Sequence, residues 1–309
     1  MERLRAAAAA LGPAQHGEGP TWDADRGELL WVDIAGGLVR RATVAADGTL
    51  TETASDHGGD TVGAVVPASA GGWLLAAGGG FTHLAEDGTA RVLATLAGEG
   101  GTEDSGGTRM NDAGCDRAGR FFAGTMAFDQ RPGGGTLYRL DVDGTVTTVL
   151  EGLSVSNGIG WSPDDRTVYL ADSGPGVVHA FDYDPAAGTF SRGRVLLEFD
   201  GTDGVADGLT VDDQGCLWTA LWGGGQVRRW SPDGDLLAVV DVPVAQTSSC
   251  AFAGPGRDLL VISTSTEGLD DAARAAQPDA GRLFTARPGV TGPAAFPYRG
   301  PLGALRQVV

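Results

Sequence analysis

One apolar opening recurs six times along the chain. It reads Glu18-Gly19-Pro20-Thr21-Trp22, Val62-Gly63-Ala64-Val65-Val66, Asn111-Asp112-Ala113-Gly114-Cys115, Asn157-Gly158-Ile159-Gly160-Trp161, Asp207-Gly208-Leu209-Thr210-Val211 and Ser249-Cys250-Ala251-Phe252. Successive openings lie roughly 40–50 residues apart, the period of propeller blades. A second signal accompanies it at Asp47-Gly48, Asp87-Gly88, Asp143-Gly144 and Asp233-Gly234. Asp-Gly between strand-like runs predicts a hairpin whose two central turn positions accept positive φ. In the fifth unit the breaks separate four strands: Leu209 to Asp212, Leu217 to Leu221, Gln226 to Trp230 and Leu236 to Val240. Four antiparallel strands in each of six units predict an all-β chain, a six-bladed β-propeller.

No Pro/Ser-rich linker divides the chain, so residues 1–309 are expected to form a single domain. The residues before Glu18 are left over. Pairing with the last blade would close the ring and hide two sheet edges. Three segments interrupt the blades: Gly98 to Gly107, Ala127 to Gly135, and Glu267 to Gly281, where Asp270 to Ala276 reads as a short helix.

Composition narrows the chemistry. The 51 glycines follow no collagen-like period and suit many tight turns. A net charge of −18 repels phosphate backbones and anionic lipid, so neither nucleic acid nor a membrane is expected as a partner. Every basic residue is arginine, which excludes a Schiff-base lysine and a P-loop lysine. Cys115, Cys216 and Cys250 are odd in number and widely spaced, so they read as reduced, buried thiols of a cytoplasmic protein. Arg5 to Leu11 is too short to span a membrane and lacks the apolar centre of a secretory signal. His16, His57, His83 and His179 share no ligand spacing, although His16 stands two residues from Glu18.

The first strand of each propeller blade lines the central channel, so equivalent repeat positions form a ring. Here the ring reads Glu18, Val62, Asn111, Asn157, Asp207 and Ser249. Alone, Asn157-Gly158 or Asp207-Gly208 reads as a turn. Glu18 does not, because Glu is a poor turn residue. Converging carboxylates repel each other unless a cation sits between them. Oxygen ligands suit one divalent metal ion: Ca²⁺, Mg²⁺ or Mn²⁺, with Zn²⁺ or Fe²⁺ accepted.

Seven segments carry a more specific signal. They are Gly17 to Trp22, Arg109-Met110-Asn111-Asp112, Gly119 to Met126, Ser156 to Ser162, Phe181-Asp182-Tyr183-Asp184, Asp207-Gly208-Leu209 and Thr247 to Phe252. In content, order and spacing the chain resembles the gluconolactonase/regucalcin (senescence marker protein) family of sugar lactonases along nearly its whole length. The resemblance implies that Glu18, Asn157 and Asp207 hold the metal, and that Arg109, Asn111 and Asp129 contact the substrate. Asn111 would reach the metal through water. Two positions depart from the family's pattern: Asp129 is shorter than the usual acidic residue, and Ala113 replaces a glycine.

The implied function is metal-dependent hydrolysis of a sugar (aldono-) lactone, with Asp207 as both ligand and general base and Arg109 holding hydroxyls or an oxyanion. A non-catalytic calcium-binding regulatory propeller remains open, as does a hydrolase of another ester or an organophosphate. A protein-interaction platform would need no acidic ring in its channel.

Overall fold

The computed structural model describes residues 1–303 and 305–307. Six sheets stand around one axis. Their innermost strands are Gly17–Asp23, Val62–Pro67, Thr108–Cys115, Ser156–Trp161, Val205–Val211 and Thr247–Ala253, one for each repeat opening. Blade five continues outward through Leu217–Trp222, Gln226–Trp230 and Leu236–Asp241. These agree with the expected strands, except that the first begins four residues earlier and takes Asp207 into the sheet. The six-bladed propeller read from the repeat is the fold.

Closure uses the N-terminus, with one addition. Ala7 and Ala8 pair antiparallel with Thr285 and Phe284 and supply the outer strand of blade six, as the unassigned leading residues suggested. Glu2–Arg5 then continues onto blade five, where it runs parallel to Leu236–Asp241 as a fifth strand. Arg3 grips both carboxylate oxygens of Asp241 at 2.6 and 2.7 Å. At the other end Arg306–Gln307 runs parallel to the outer strand of blade three. Between blade six and that strand the C-terminal segment crosses the base of the ring. Its backbone bonds to Trp22, Pro67 and Gly119 in turn, through Ala295, Tyr298 and Arg299.

The Asp-Gly turns join the third and fourth strands of their blades. Only the glycine takes positive φ, for example +92° at Gly48 and +84° at Gly144. The expected pair of positive-φ residues is replaced by a type I turn followed by a left-handed glycine. The preceding aspartate does a different job: Asp47, Asp87 and Asp143 each accept the amide of the threonine two residues on, at 2.9 Å.

The core lies between adjacent sheets. Val32, Val39, Val62 and Leu75 pack together between blades one and two. Val62 therefore faces the inter-blade core and not the channel, because its pairing with Ala77 keeps the ordinary pleat and an apolar side chain gains by burial there. Asp270 caps the short helix Asp271–Ala276 by accepting the Ala273 amide at 2.8 Å. The three cysteines are buried and unpaired. Among the described residues no helix is long and apolar enough to cross a membrane.

Candidate metal and substrate site

All six inner strands break register at the same level. Regular pairing lapses between Glu18 and Thr21, Val62 and Ala64, Met110 and Ala113, Ser156 and Ile159, Ala206 and Leu209, and Thr247 and Ser249. A bulge bends the strand and re-aims its side chains. Asn111, Asn157 and Asp207 lie inside the unpaired stretches, and Glu18 sits at the lip of its own. Glycines let the strands come close enough for these groups to meet. A Cβ on Gly63 would lie 2.2 Å from the Asn111 carbonyl oxygen, and one on Gly158 would lie 2.3 Å from the Leu209 amide.

Glu18, Arg109, Asn111, Asn157 and Asp207 are all buried. The Asn157 amide nitrogen donates to Asp207 Oδ1 and, at 3.1 Å, to Ser173 Oγ. Ser173 Oγ in turn donates to the Ala206 carbonyl at 2.6 Å, tying blades four and five together beside Asp207. With its nitrogen so engaged, Asn157 Oδ1 is left buried without a hydrogen-bond partner. Asn111 is fully committed: its oxygen accepts Arg109 Nη1 at 2.7 Å and its nitrogen donates to the Ser156 carbonyl at 2.9 Å. Glu18 Oε2 accepts the Gly19 amide at 2.8 Å.

Burial pushes the Glu18 and Asp207 carboxyls well above the ordinary range, and their mutual repulsion, together with Asp112, pushes Glu18 further. Arg109 pulls both back. Its own guanidinium is lowered by desolvation, against the opposing fields of Glu267, Glu18 and Asp207. Asp112 is partly open to the axis, yet enclosed enough that its carboxyl is pushed up to about 6.

The residues present fit a hard divalent cation. Two buried carboxylates whose charges need neutralising stand beside an amide oxygen that lacks any donor, an all-oxygen set. Among the described residues no three His, Cys, Asp or Glu side chains cluster for a metal; the Asn157 amide oxygen falls outside that set of residue types.

Asp129 is not brought to this cluster. It lies exposed on the turn after Phe121–Ala127, where it accepts the Arg131 backbone amide at 3.2 Å and Arg131 Nη1 at 3.0 Å. Two acidic groups outside the repeat ring act on the charges of the cluster. Asp112 stood next to Asn111 in the same opening, and its one sequence signal was that adjacency to a ring position. Glu267 opens the blade-six interruption and carried no repeat phase. A 560 Å³ cavity lies on the axis on the other side of the ring, lined by Gly19, Trp22, Asp112, Trp161 and Leu209, with Phe296 of the C-terminal segment at its base. Glu18, Arg109, Asn157 and Asp207 line none of it.

Comparison with known families settles the lineage. The model for the "SMP-30/Gluconolactonase/LRE-like region" matches residues 16–266. The chain belongs to this family. Regucalcin of Danio rerio is 36% identical over 289 residues, 92% of this chain and 95% of the relative. A pentonolactonase of Haloferax volcanii is 37% identical over 251 residues, 81% of each chain. A solved calcium-binding protein, regucalcin of Agrobacterium tumefaciens, superimposes with a TM-score of 0.85 at 30% identity, covering 97% of this chain and 99% of its own. The propeller described above is thus the fold this chain shares with its solved relative.

Proposed function

We propose that the protein hydrolyses a sugar (aldono-) lactone to the aldonic acid, using one divalent metal ion held by Glu18, Asn157 and Asp207. The observation that carries this reading is the buried, partnerless Oδ1 of Asn157, whose amide nitrogen is bonded to the buried Asp207 carboxylate, with buried Glu18 and Arg109 in the same electrostatic cluster. When bound, the cation polarises the lactone carbonyl and makes a neighbouring water more acidic. Asp207 accepts the proton of the attacking water and returns it to the ring oxygen as the acyl C–O bond breaks, which leaves the open-chain hydroxy acid. Ser173 holds the amide of Asn157, and that amide holds Asp207, so the base is fixed in direction. Arg109, positioned by Asn111, donates to the substrate's oxygens. Asp129 contacts hydroxyls of the substrate once it exchanges Arg131 for them. The buried free thiols suit a reducing compartment, and we place the reaction in the cytoplasm.

Relatives named lactonase and relatives named regucalcin lie on either side of the choice between enzyme and calcium-binding regulator. A buried arginine held beside the carboxylates favours the enzyme, since calcium binding alone gains nothing from a cation there. A panel of aldonolactones, a simple aryl ester and an organophosphate, assayed with protein reloaded with each divalent ion, decides it. Turnover of at least one aldonolactone well above the other classes is expected. Calcium binding with no turnover of any lactone would leave the regulatory reading.

A further inference from the structure

Three side chains at the mouth of the ring take no part in the mechanism above. His16 precedes the inner strand of blade one, Trp222 ends the second strand of blade five, and Glu267 follows the second strand of blade six. The His16 and Trp222 rings lie 5.3 Å apart between centroids at 31°. His16 Nδ1 pairs with Glu267 Oε2. The backbone on both sides is pinned. Asp33 accepts the amides of Gln15 and His16 at 2.8 and 2.9 Å, and Ser265 Oγ accepts the Glu267 amide at 2.9 Å. The His16 side chain is 11% exposed, whereas that of Glu267 is 50% exposed. The imidazole is thus a buried strut, and the carboxylate it holds faces solvent at the entrance. Glu267 also acts electrostatically on Arg109 and Asp207, in keeping with its place at the ring mouth beside His16.

A carboxylate with a free acceptor oxygen, held by an imidazole that packs on an indole, supplies the chemistry that binds a polyol: hydroxyls bond to the charged group, and C–H faces lie on the aromatic ring. We propose that Glu267, oriented by His16 and walled by Trp222, is a specificity-determining residue that accepts hydrogen bonds from the hydroxyls of the lactone substrate. This rests on the lactonase reading for its substrate, but not for its binding.

The test is kinetics and binding on the full-length metal-loaded protein with Glu267→Gln and Glu267→Asp. On a polyhydroxylated lactone, Glu267→Gln is expected to raise KM roughly ten- to a hundredfold, the range for one or two lost charge-assisted bonds, with kcat little changed. Glu267→Asp recovers part of the loss. A hydroxyl-free lactone of the same ring size is turned over by both variants as by wild type. His16→Leu shows the same KM-only loss, and His16→Asn, which keeps a donor, restores it. In parallel, calorimetric titration of wild type with a neutral hexitol detects binding that Glu267→Gln weakens. Equal loss on both lactones, unchanged KM on the hydroxylated one, or a wild type that binds no hexitol overturns the proposal. A wild type that hydrolyses neither lactone but binds hexitol through Glu267 removes the lactonase reading and leaves this subsite standing.

Discussion

Asp207 carries the heaviest load of any single residue. It is a proposed ligand and the proposed base, and it is held from blade four by Asn157. Asp207→Asn keeps the shape and one oxygen but cannot accept the water's proton. Its kcat is expected to fall roughly 10²–10⁴-fold, with the fold intact by circular dichroism. A loss smaller than tenfold would move the base elsewhere. Asp112 gives a prediction of a different kind. Its folded carboxyl is held at about 6, above its ordinary value, so the metal-free fold binds this proton more tightly than the unfolded chain does. That contribution is complete below pH of about 4 and is lost as pH rises through about 6. The Tm of chelated protein should therefore fall across this window, and Asp112→Asn should flatten that part of the slope. A flat wild-type profile contradicts it. At this scale the sequence was informative where chemistry and repeat phase coincide: the recurring blade position marked a ring with oxygen-bearing residues at Glu18, Asn111, Asn157, Asp207 and Ser249, and the family resemblance singled out Glu18, Asn157 and Asp207 within it. Glu267 could not be found this way, because it follows the second strand of its blade and its meaning depends on His16, some 250 residues earlier in the chain.

The inner strand, with its bulge and its glycine, is the element that builds the site. The repeat openings located all six inner strands, since apolar runs of that length bounded by turns have few alternatives. The bulges were not legible, because they record how neighbouring strands approach rather than any local preference. Gly63 tests them: a methyl group there meets the Asn111 carbonyl oxygen at 2.2 Å. Gly63→Ala is expected to cost about 1–3 kcal/mol in urea denaturation, as overpacking does, and to impair turnover by displacing Asn111 and with it Arg109. Unchanged stability would show that the inner strands can separate freely. The N-terminal strand is the second instructive element. The ring-closing pair at Ala7 and Ala8 followed from counting strands, but the parallel addition of Glu2–Arg5 did not, because nothing in that short run specifies an edge of blade five. Its fork to Asp241 does. Asp241→Asn should speed amide exchange in Glu2–Arg5 without altering lactone turnover, and exchange equal to wild type would assign the strand's hold to backbone pairing alone.

As a whole molecule the chain is a closed ring with the candidate site at one end of the axis and a cavity, floored by the C-terminal segment, at the other. We expect residues 1–309 to behave as one domain and unfold in a single transition, because each blade buries its faces only against its neighbours. The acidic cluster makes that transition metal-sensitive: two carboxyls enclosed together resist ionisation unless a cation balances them, so a bound divalent ion should raise the melting temperature most at neutral pH. The most direct measurement is a metal titration of exhaustively chelated protein, following aldonolactone hydrolysis and metal content together. No turnover is expected without metal, and activity should rise in proportion to bound ion and level off at one per chain. Asn157→Leu, which removes the partnerless oxygen, should bind that ion more weakly. Full activity in protein shown by elemental analysis to be free of metal would contradict it.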